Sequence, residues 1–164
     1  MIRLMTAEDI EHVQHIARET WKHTYQDSIP QDSQMEFINR SYSNAMMMKR
    51  MEKTIVLIAE HRGVPVGFAN FTKKDEDGDS ELTALSILPS CQKSEYGRKL
   101  VEYALSMLQG AQQLFVYMDA HNTAGRTFYE KQGFQLLDVF DELFEGRHVV
   151  TAQYVYYIKK PVLA

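Results

Sequence analysis

Residues 122–134, which read NTAGRTFYEKQGF, form the most informative stretch of this sequence. The segment before it, QLFVYMDA, is short, apolar and typical of a buried strand. The spacing of TAGRTFYEKQG predicts a helix, and Gly133 stands where a helix commonly ends, because glycine adopts the left-handed conformation without steric cost. The sequence therefore predicts a buried strand followed directly by a helix that ends at a glycine.

The rest of the chain predicts an alternation of strands and helices around this stretch. The segment IRLMT predicts a strand, and three helices follow it, the first with an apolar stripe from Ile10 to Trp21. Two β-rich runs around HRGVP predict a hairpin, ELTALSILP a further strand, and Tyr96 to Leu108 a helix. The segments FQLLDVFDELF and HVVTAQYVYYIKK predict a final pair of strands. This order predicts one α/β domain over residues 1–164, with a mixed, mostly antiparallel central sheet flanked by helices.

The composition narrows the classes of protein to which the chain can belong. With 164 residues and 45% hydrophobic residues, the chain can bury one core. Its 18 basic and 22 acidic residues give a net charge of −4, which argues against a nucleic-acid partner. The sequence has no apolar run of the ~18 residues that span a bilayer. Its first residues, MIRLMTAEDI, lack the basic start and long apolar segment that are typical of a secretion signal, and Cys91 is its single cysteine. These features predict a soluble cytoplasmic protein without a membrane or nucleic-acid partner.

A second informative stretch, residues 90–100, reads SCQKSEYGRKL and lies between a predicted strand and a predicted helix. First-turn amides of a helix lack internal partners and the helix dipole is positive there, so such a turn can hold a phosphate group. Residues 92–97 fit this description, although Glu95 stands where a glycine would be expected in addition to Gly97. The alternative is an ordinary helix start, with Ser94 as the N-cap and Glu95 as a favourable first-turn acid.

Together the two stretches resemble the signatures of the GCN5-related N-acetyltransferase family. The second signature of that family, Asn-x-x-Ala-x-x-Phe-Tyr-x-x-x-Gly-Phe, matches residues 122–134 except that Gly125 replaces the alanine. The first signature, Gln/Arg-x-x-Gly-x-Gly/Ala, maps onto residues 92–97 with Glu95 in place of its first glycine. The order of predicted elements follows the same family over nearly the whole chain.

The resemblance implies that acetyl-CoA is the cosubstrate and that no metal is needed. Backbone amides from Lys93 to Arg98 would hold the pyrophosphate, with positive charge from Lys93, Arg98 and Lys99. Each of those three side chains can equally be part of a solvated helix start. Backbone groups near Ile87 would pair with the pantetheine arm, and Asn122 would hold that arm or cap the helix that follows. The cofactor-binding set that the resemblance implies is Ile87, Leu88, Gln92, Lys93, Ser94, Glu95, Tyr96, Gly97, Arg98, Asn122, Phe128 and Tyr129.

Two side chains are candidates for acid–base catalysis. The resemblance implies that Tyr129 is the general acid, whose phenol protonates the departing thiolate; the alternative is a buried aromatic residue beside Phe128. An amine acceptor has a reference pKa near ~10, so a base must remove a proton before attack. Glu81 opens the predicted fourth strand, where the family often places such an acid, whereas Thr83 at the frequent alternative position cannot serve. Glu81 can also be the last residue of an acidic turn.

The acceptor class is indicated by two weaker features. The segment ARETWKHTYQD looks like the same region of bacterial polyamine acetyltransferases, which implies a small amine as the acceptor. The acidic turn at residues 75–81 is usually just a solvated segment, but it would also attract a polycation. We therefore expect an N-acetyltransferase for a polyamine-like primary amine. The sequence leaves the oligomeric state open, although the family often forms homodimers. The alternative hypothesis is a non-catalytic acyl-CoA-sensing or interaction module on the same fold.

Overall fold

The computed structural model describes residues 1–92, 94–144 and 146–159. Its strands are β1 (Ile2–Leu4), β2 (Thr54–His61), β3 (Val64–Thr72), β4 (Asp79–Ile87), β5 (Gln113–Asp119), β6 (Gln135–Phe144) and β7 (Arg147–Tyr157). Its helices are α1 (Ile10–Tyr25), α2 (Gln31–Ser41), α3 (Asn44–Lys53), α4 (Tyr96–Met107) and α5 (Thr123–Lys131). The predicted α/β class and order of elements are confirmed. In the described ranges, no helix combines the length and the apolar character needed to cross a membrane.

The observed start of β4 differs from the prediction, and the difference affects the site. Strand β4 begins at Asp79, so Glu81 is its third residue and does not open the strand. The strand begins earlier because the preceding turn closes tightly: the Asp75 amide donates to the Asp79 carbonyl at 2.9 Å, and Gly78 adopts φ +82°. Glu81 is therefore held in a paired strand rather than at the end of an acidic turn.

The strands have the order β1-β2-β3-β4-β5-β7-β6 in a mostly antiparallel sheet. The exception is the β4–β5 pair, which is parallel and joins Asp79–Leu82 to the stretch from Gln113 to Val116. Both strands continue past these partners, β4 to Ile87 and β5 to Asp119. In the described residues, the parallel pairing thus stops partway along both strands.

The chain forms two compact units, each built from two segments. The first unit contains Met1–Lys73 and Ala84–Met107. In it, Val56, Ile58 and Phe68 of the sheet pack with apolar residues of α1, α2 and α3 in one buried cluster. Because side chains alternate along a strand, Leu57 faces the other side of β2, and α4 packs on β2 and β3.

The second unit contains Lys74–Thr83 and the chain from Leu108 onward. Strand β7 lies between β5 and β6 and pairs antiparallel with both. Helix α5 packs against β6 and is tied to β7 because the Arg126 Nε donates to the hydroxyl of the buried Tyr154 at 2.9 Å. The helix ends where predicted, since Gly133 follows it with φ +97°.

Candidate active site

The segment between β4 and α4, in the first unit, is held by side-chain hydrogen bonds on both sides. At its start, the Gln92 Nε2 donates to the Ile87 carbonyl at 3.1 Å, and the Ser94 hydroxyl donates to the Cys91 carbonyl. At its end, the Tyr96 hydroxyl lies 2.6 Å from the His61 Nδ1. Tyr96 is the first residue of α4, so the first-turn amides of this helix are anchored to the neighbouring sheet. Lys93 lies outside the described residues.

Glu95 is exposed and is paired with the two basic residues that follow it. Its carboxylate lies 3.2 Å from the Arg98 Nη2 and 3.3 Å from the Lys99 Nζ, and these two cations lower the pKa of the carboxyl group, with Lys99 the larger cause. Arg98 also contacts Glu102 at 2.8 Å. The basic side chains at this helix start are therefore already partly neutralised. In the described residues, Arg62 is the only non-glycine with positive φ, so Glu95 has a backbone conformation that does not require glycine.

The end of β4 lies close against β3. A Cβ atom built on Gly67 would lie 2.5 Å from the Ile87 Cδ1 and 2.9 Å from the Ser86 carbonyl oxygen. A glycine at position 67 is thus what allows β3 to approach this part of β4. The Leu88 amide donates to the Val66 carbonyl at 2.9 Å, so this amide is already used. The Ile87 carbonyl accepts from the Gln92 Nε2 at 3.1 Å and from the Thr20 hydroxyl at 3.5 Å, so both of its lone pairs have a donor.

In the second unit, Asn122 is the N-cap of α5. Its Oδ1 accepts the Gly125 backbone N–H at 2.9 Å, which satisfies one of the amides that a helix start leaves without a partner. A Cβ atom on Gly125 would lie 2.6 Å from the Asn122 Nδ2. The glycine that replaces the family alanine therefore lets the asparagine side chain lie directly on the helix backbone. The helix-cap interpretation of Asn122 is confirmed, and its Nδ2 can donate to a ligand as well.

Tyr129 is almost completely buried among aromatic rings. Its side chain is 8% exposed and makes edge-on contacts with Phe128 and Phe134, at centroid distances of 5.0 and 5.2 Å. Burial raises the pKa of its phenol, so the hydroxyl keeps its proton at neutral pH. A phenol that remains protonated in an apolar site can donate a proton to a group that develops negative charge nearby.

Glu81 occupies a sheet position next to β5 in the same unit. It pairs in register with Phe115 and is half-buried, and this burial raises the pKa of its carboxyl group. A carboxylate with a raised pKa is a stronger base than one in water. Two residues along β5, Tyr117 has a pKa raised by burial and by the charges of Glu81, Asp79 and Glu142. Its hydroxyl accepts a hydrogen bond from the Gln153 Nε2 at 3.0 Å.

The predicted site residues fall into two sets. The first unit contains Ile87, Leu88, Gln92, Ser94, Glu95, Tyr96, Gly97 and Arg98. The second contains Glu81, Asn122, Phe128 and Tyr129. Sequence reasoning did not identify His61 or Tyr117, which contact or surround these residues from distant parts of the chain. The hairpin that contains His61 could be predicted from the sequence. No residue near His61 in the chain indicates that this histidine contacts Tyr96.

Comparison with known proteins identifies the family of the chain. A sequence model described as an acetyltransferase (GNAT) domain matches residues 52–136, which is 85 of the 164 residues and includes both signature stretches. The chain therefore belongs to the GNAT family. It is an acetyl-CoA-dependent N-acetyltransferase.

Individual relatives match the chain over most of their length, in sequence or in structure. The chain is 26% identical over 145 residues to the spermidine N(1)-acetyltransferase of Thermoplasma acidophilum, covering 84% of this chain and 89% of that protein. The PaiA N-acetyltransferase of T. acidophilum, solved with coenzyme A, superposes with a TM-score of 0.79 at 23% identity, covering 92% and 96% of the two chains. YncA of Salmonella typhimurium, solved with acetyl-CoA, gives a TM-score of 0.71 at 18% identity, covering 100% and 96%.

Proposed function

We propose that this enzyme acetylates a primary amine of a small polycation of the polyamine class. The observation that carries the proposal is the concentration of carboxylates around Glu81 and Tyr117 in the second unit. Burial is the largest cause of the raised pKa of the Tyr117 phenol, and the negative charges of Glu81, Asp79 and Glu142 raise it further. Their negative potential would favour an acceptor with several ammonium groups over one with a single ammonium group. The name of the T. acidophilum relative, a spermidine acetyltransferase, supports the same class.

The turn before β4 extends this negative region within the same unit. Asp75, Asp77 and Asp79 bring carboxylate oxygens within 4.8 Å of one another. By contrast, a cavity of about 140 Å³ beside α1 and α2 in the first unit is lined by Arg18 and Lys22 as well as Glu19. Two basic side chains oppose the binding of a polycation, so we assign the acceptor to the acidic surface rather than to this cavity.

In the proposed mechanism, Glu81 takes one proton from the acceptor ammonium, directly or through a water molecule, and releases a neutral nitrogen for attack. Acetyl-CoA supplies the acetyl group as an activated thioester. As the C–N bond forms and the C–S bond breaks, Tyr129 donates its phenolic proton to the departing sulfur. The second proton of the attacking nitrogen restores the Tyr129 hydroxyl. The products are an N-acetylated amine, a free thiol and one proton released through Glu81.

We assign cofactor binding to the start of α4 and to the residues flanking it. The amides of residues 94–98 would hold the pyrophosphate, because first-turn amides have no internal partners. In the first unit, the Ile87 carbonyl would accept from the pantetheine arm in place of the Thr20 hydroxyl, whose hydrogen bond to it is 3.5 Å long. In the second unit, the Asn122 Nδ2 can donate to a polar group. Lys93 and Arg98 would add positive charge, although part of the Arg98 charge is already paired with Glu95 and Glu102.

The proposal is tested by measuring thiol release from acetyl-CoA with a matched set of amines. We expect kcat/KM to fall in the order spermidine, putrescine, butylamine, because each step removes one amine that is cationic at neutral pH. An alanyl peptide with a free N-terminus serves as a protein-like acceptor. The preference for spermidine should shrink at high salt, since screening is strong beyond ~8 Å at physiological ionic strength. Equal kcat/KM for spermidine and butylamine would contradict the polycation assignment.

A pair of variants on β6 locates the acceptor surface. Glu142→Gln should lower kcat/KM for spermidine several-fold and leave butylamine nearly unchanged. Asp141→Asn is the matched control, because Asp141 is the adjacent acid and side chains alternate between the two faces of a strand. We expect it to leave both rates unchanged. Whether the chain forms the homodimer that is common in the family is tested separately, by light scattering after size-exclusion chromatography.

A further inference from the structure

We propose that His61 is a positioning residue for cofactor binding, which it serves by fixing the start of α4 through its hydrogen bond with Tyr96. The His61 Nδ1 and the Tyr96 hydroxyl oxygen are 2.6 Å apart, and their rings meet nearly at right angles, at 81°. The two residues lie 35 positions apart in sequence. The inference rests on the proposed role of residues 94–98 in holding the pyrophosphate.

His61 is held in place by regular structure on its own side of the contact. It is the last residue of β2 and pairs with Val64 across a two-residue turn. Both turn residues have positive φ, Arg62 at 52° and Gly63 at 78°, which is the backbone of the tight hairpin turn that matches strand twist. The imidazole is therefore presented by a paired hairpin and not by a loose loop.

On the other side of the contact, Tyr96 is where α4 begins. The amides of a first helical turn bind an anion only if they converge on one spot, so the orientation of this turn matters for phosphate binding. The Tyr96 hydroxyl fixes the turn to the hairpin, while the Gln92 side chain fixes the preceding backbone to the Ile87 carbonyl at 3.1 Å. A turn anchored in advance loses less conformational freedom when a ligand binds.

The location of this hydrogen bond separates a binding role from a purely structural one. His61 is exposed and Tyr96 is only half-buried, so neither side chain belongs to the buried core. Removing the hydrogen bond should therefore change the melting temperature little. It should weaken cofactor binding by roughly 3-fold to 10-fold, the range that corresponds to one ordinary hydrogen bond.

The test is a double-mutant cycle measured by isothermal titration with acetyl-CoA and with coenzyme A, neither of which needs turnover. We expect Tyr96→Phe and His61→Ala each to raise Kd roughly 3-fold to 10-fold. The double variant should be no weaker than the weaker single variant, because both changes remove the same contact. His61→Gln, which retains a hydrogen-bonding side chain, should recover part of the loss. For His61→Ala, the KM for acetyl-CoA should rise in step with Kd.

Tyr103→Phe is the matched control, since Tyr103 is an exposed tyrosine on the same helix. We expect no change in its Kd. Two results would overturn the inference: unchanged Kd in both single variants, or losses that add fully in the double variant. Either result, with a wild type that binds acetyl-CoA, rejects only the positioning role. A wild type that binds neither ligand rejects the proposed cofactor site and this inference together.

Discussion

The Asn122 side chain lies directly on the backbone of Gly125, with its Oδ1 accepting the Gly125 N–H at 2.9 Å. At this position the family signature has an alanine, whose Cβ would fall 2.6 Å from the Asn122 Nδ2. The glycine that replaces the signature alanine is thus what allows this close contact in the helix cap. Because Asn122 is also a candidate ligand of the pantetheine arm, a change at position 125 should reach the cofactor through this side chain.

Gly125→Ala should leave stability nearly unchanged while altering cofactor affinity. Alanine favours the helix by about 0.8–1.0 kcal/mol over glycine. Displacing the Asn122 cap costs about 1 kcal/mol, which offsets this gain. We expect a melting temperature close to that of wild type and a changed Kd for acetyl-CoA, measured by calorimetry. Thr123→Ala, at an exposed position of the same turn, is the control. An unchanged Kd in Gly125→Ala would mean that Asn122 only caps the helix.

Removing the charge of Glu95 should tighten acetyl-CoA binding. The carboxylate lies beside the proposed phosphate site and also neutralises Arg98 and Lys99, at 3.2 and 3.3 Å. Glu95→Gly should lower Kd by roughly 3-fold to 10-fold at low salt, and by less at high salt because of screening. Isothermal titration at two ionic strengths measures both effects.

Glu95→Gln separates the two ways in which this residue can act. If charge is responsible, glutamine should tighten binding about as much as glycine does. Should only the glycine variant bind more tightly, the close approach of the pyrophosphate to the backbone would be the cause. Equal affinity of wild type and both variants would show that the carboxylate is irrelevant to the cofactor.

Tyr129→Phe should abolish most turnover without lowering the stability of the protein or its affinity for acetyl-CoA. The change removes only the hydroxyl and preserves the edge-on packing with Phe128 and Phe134. If the phenol is the general acid, kcat should fall by ~10²-fold or more. Steady-state kinetics, calorimetric Kd and a melting curve test the three parts separately. Wild-type turnover in Tyr129→Phe would reject the general-acid role and leave Tyr129 as a packing residue.

Glu81→Gln should change how the rate depends on pH. Partial burial raises the pKa of the Glu81 carboxyl group, and only its deprotonated form can act as a base. The wild-type rate should therefore fall as the pH decreases through this raised pKa and should rise on the alkaline side. In Glu81→Gln the rate should be low at neutral pH, and its alkaline gain should be reduced. A pH–rate profile of kcat/KM measures this, and a wild-type profile would assign the base elsewhere.

Much of the fold follows from short-range patterns. Apolar spacing, turn residues and helix-ending glycines are local properties, and they were sufficient to predict the α-helices and strands of the described residues in their order along the chain. The error at Glu81 has a local cause as well: five acidic residues near one turn resemble a solvated loop, whereas the backbone of Asp79 already pairs with that of Gln113. Solvated charges on one face of a strand do not prevent the strand from pairing.

The two signature stretches, and with them the family, could be predicted from the sequence because each signature consists of residues that are close together in the chain. Strand order could not be read, since β7 enters between β5 and β6, and such pairing depends on burial and hydrogen bonds between distant segments. The contact of His61 with Tyr96 and the grouping of carboxylates around Tyr117 could not be predicted for the same reason, because they also join distant segments. Periodicity reports only which face of an element is apolar, whereas the partner of each exposed polar group is chosen by the packing of the whole chain.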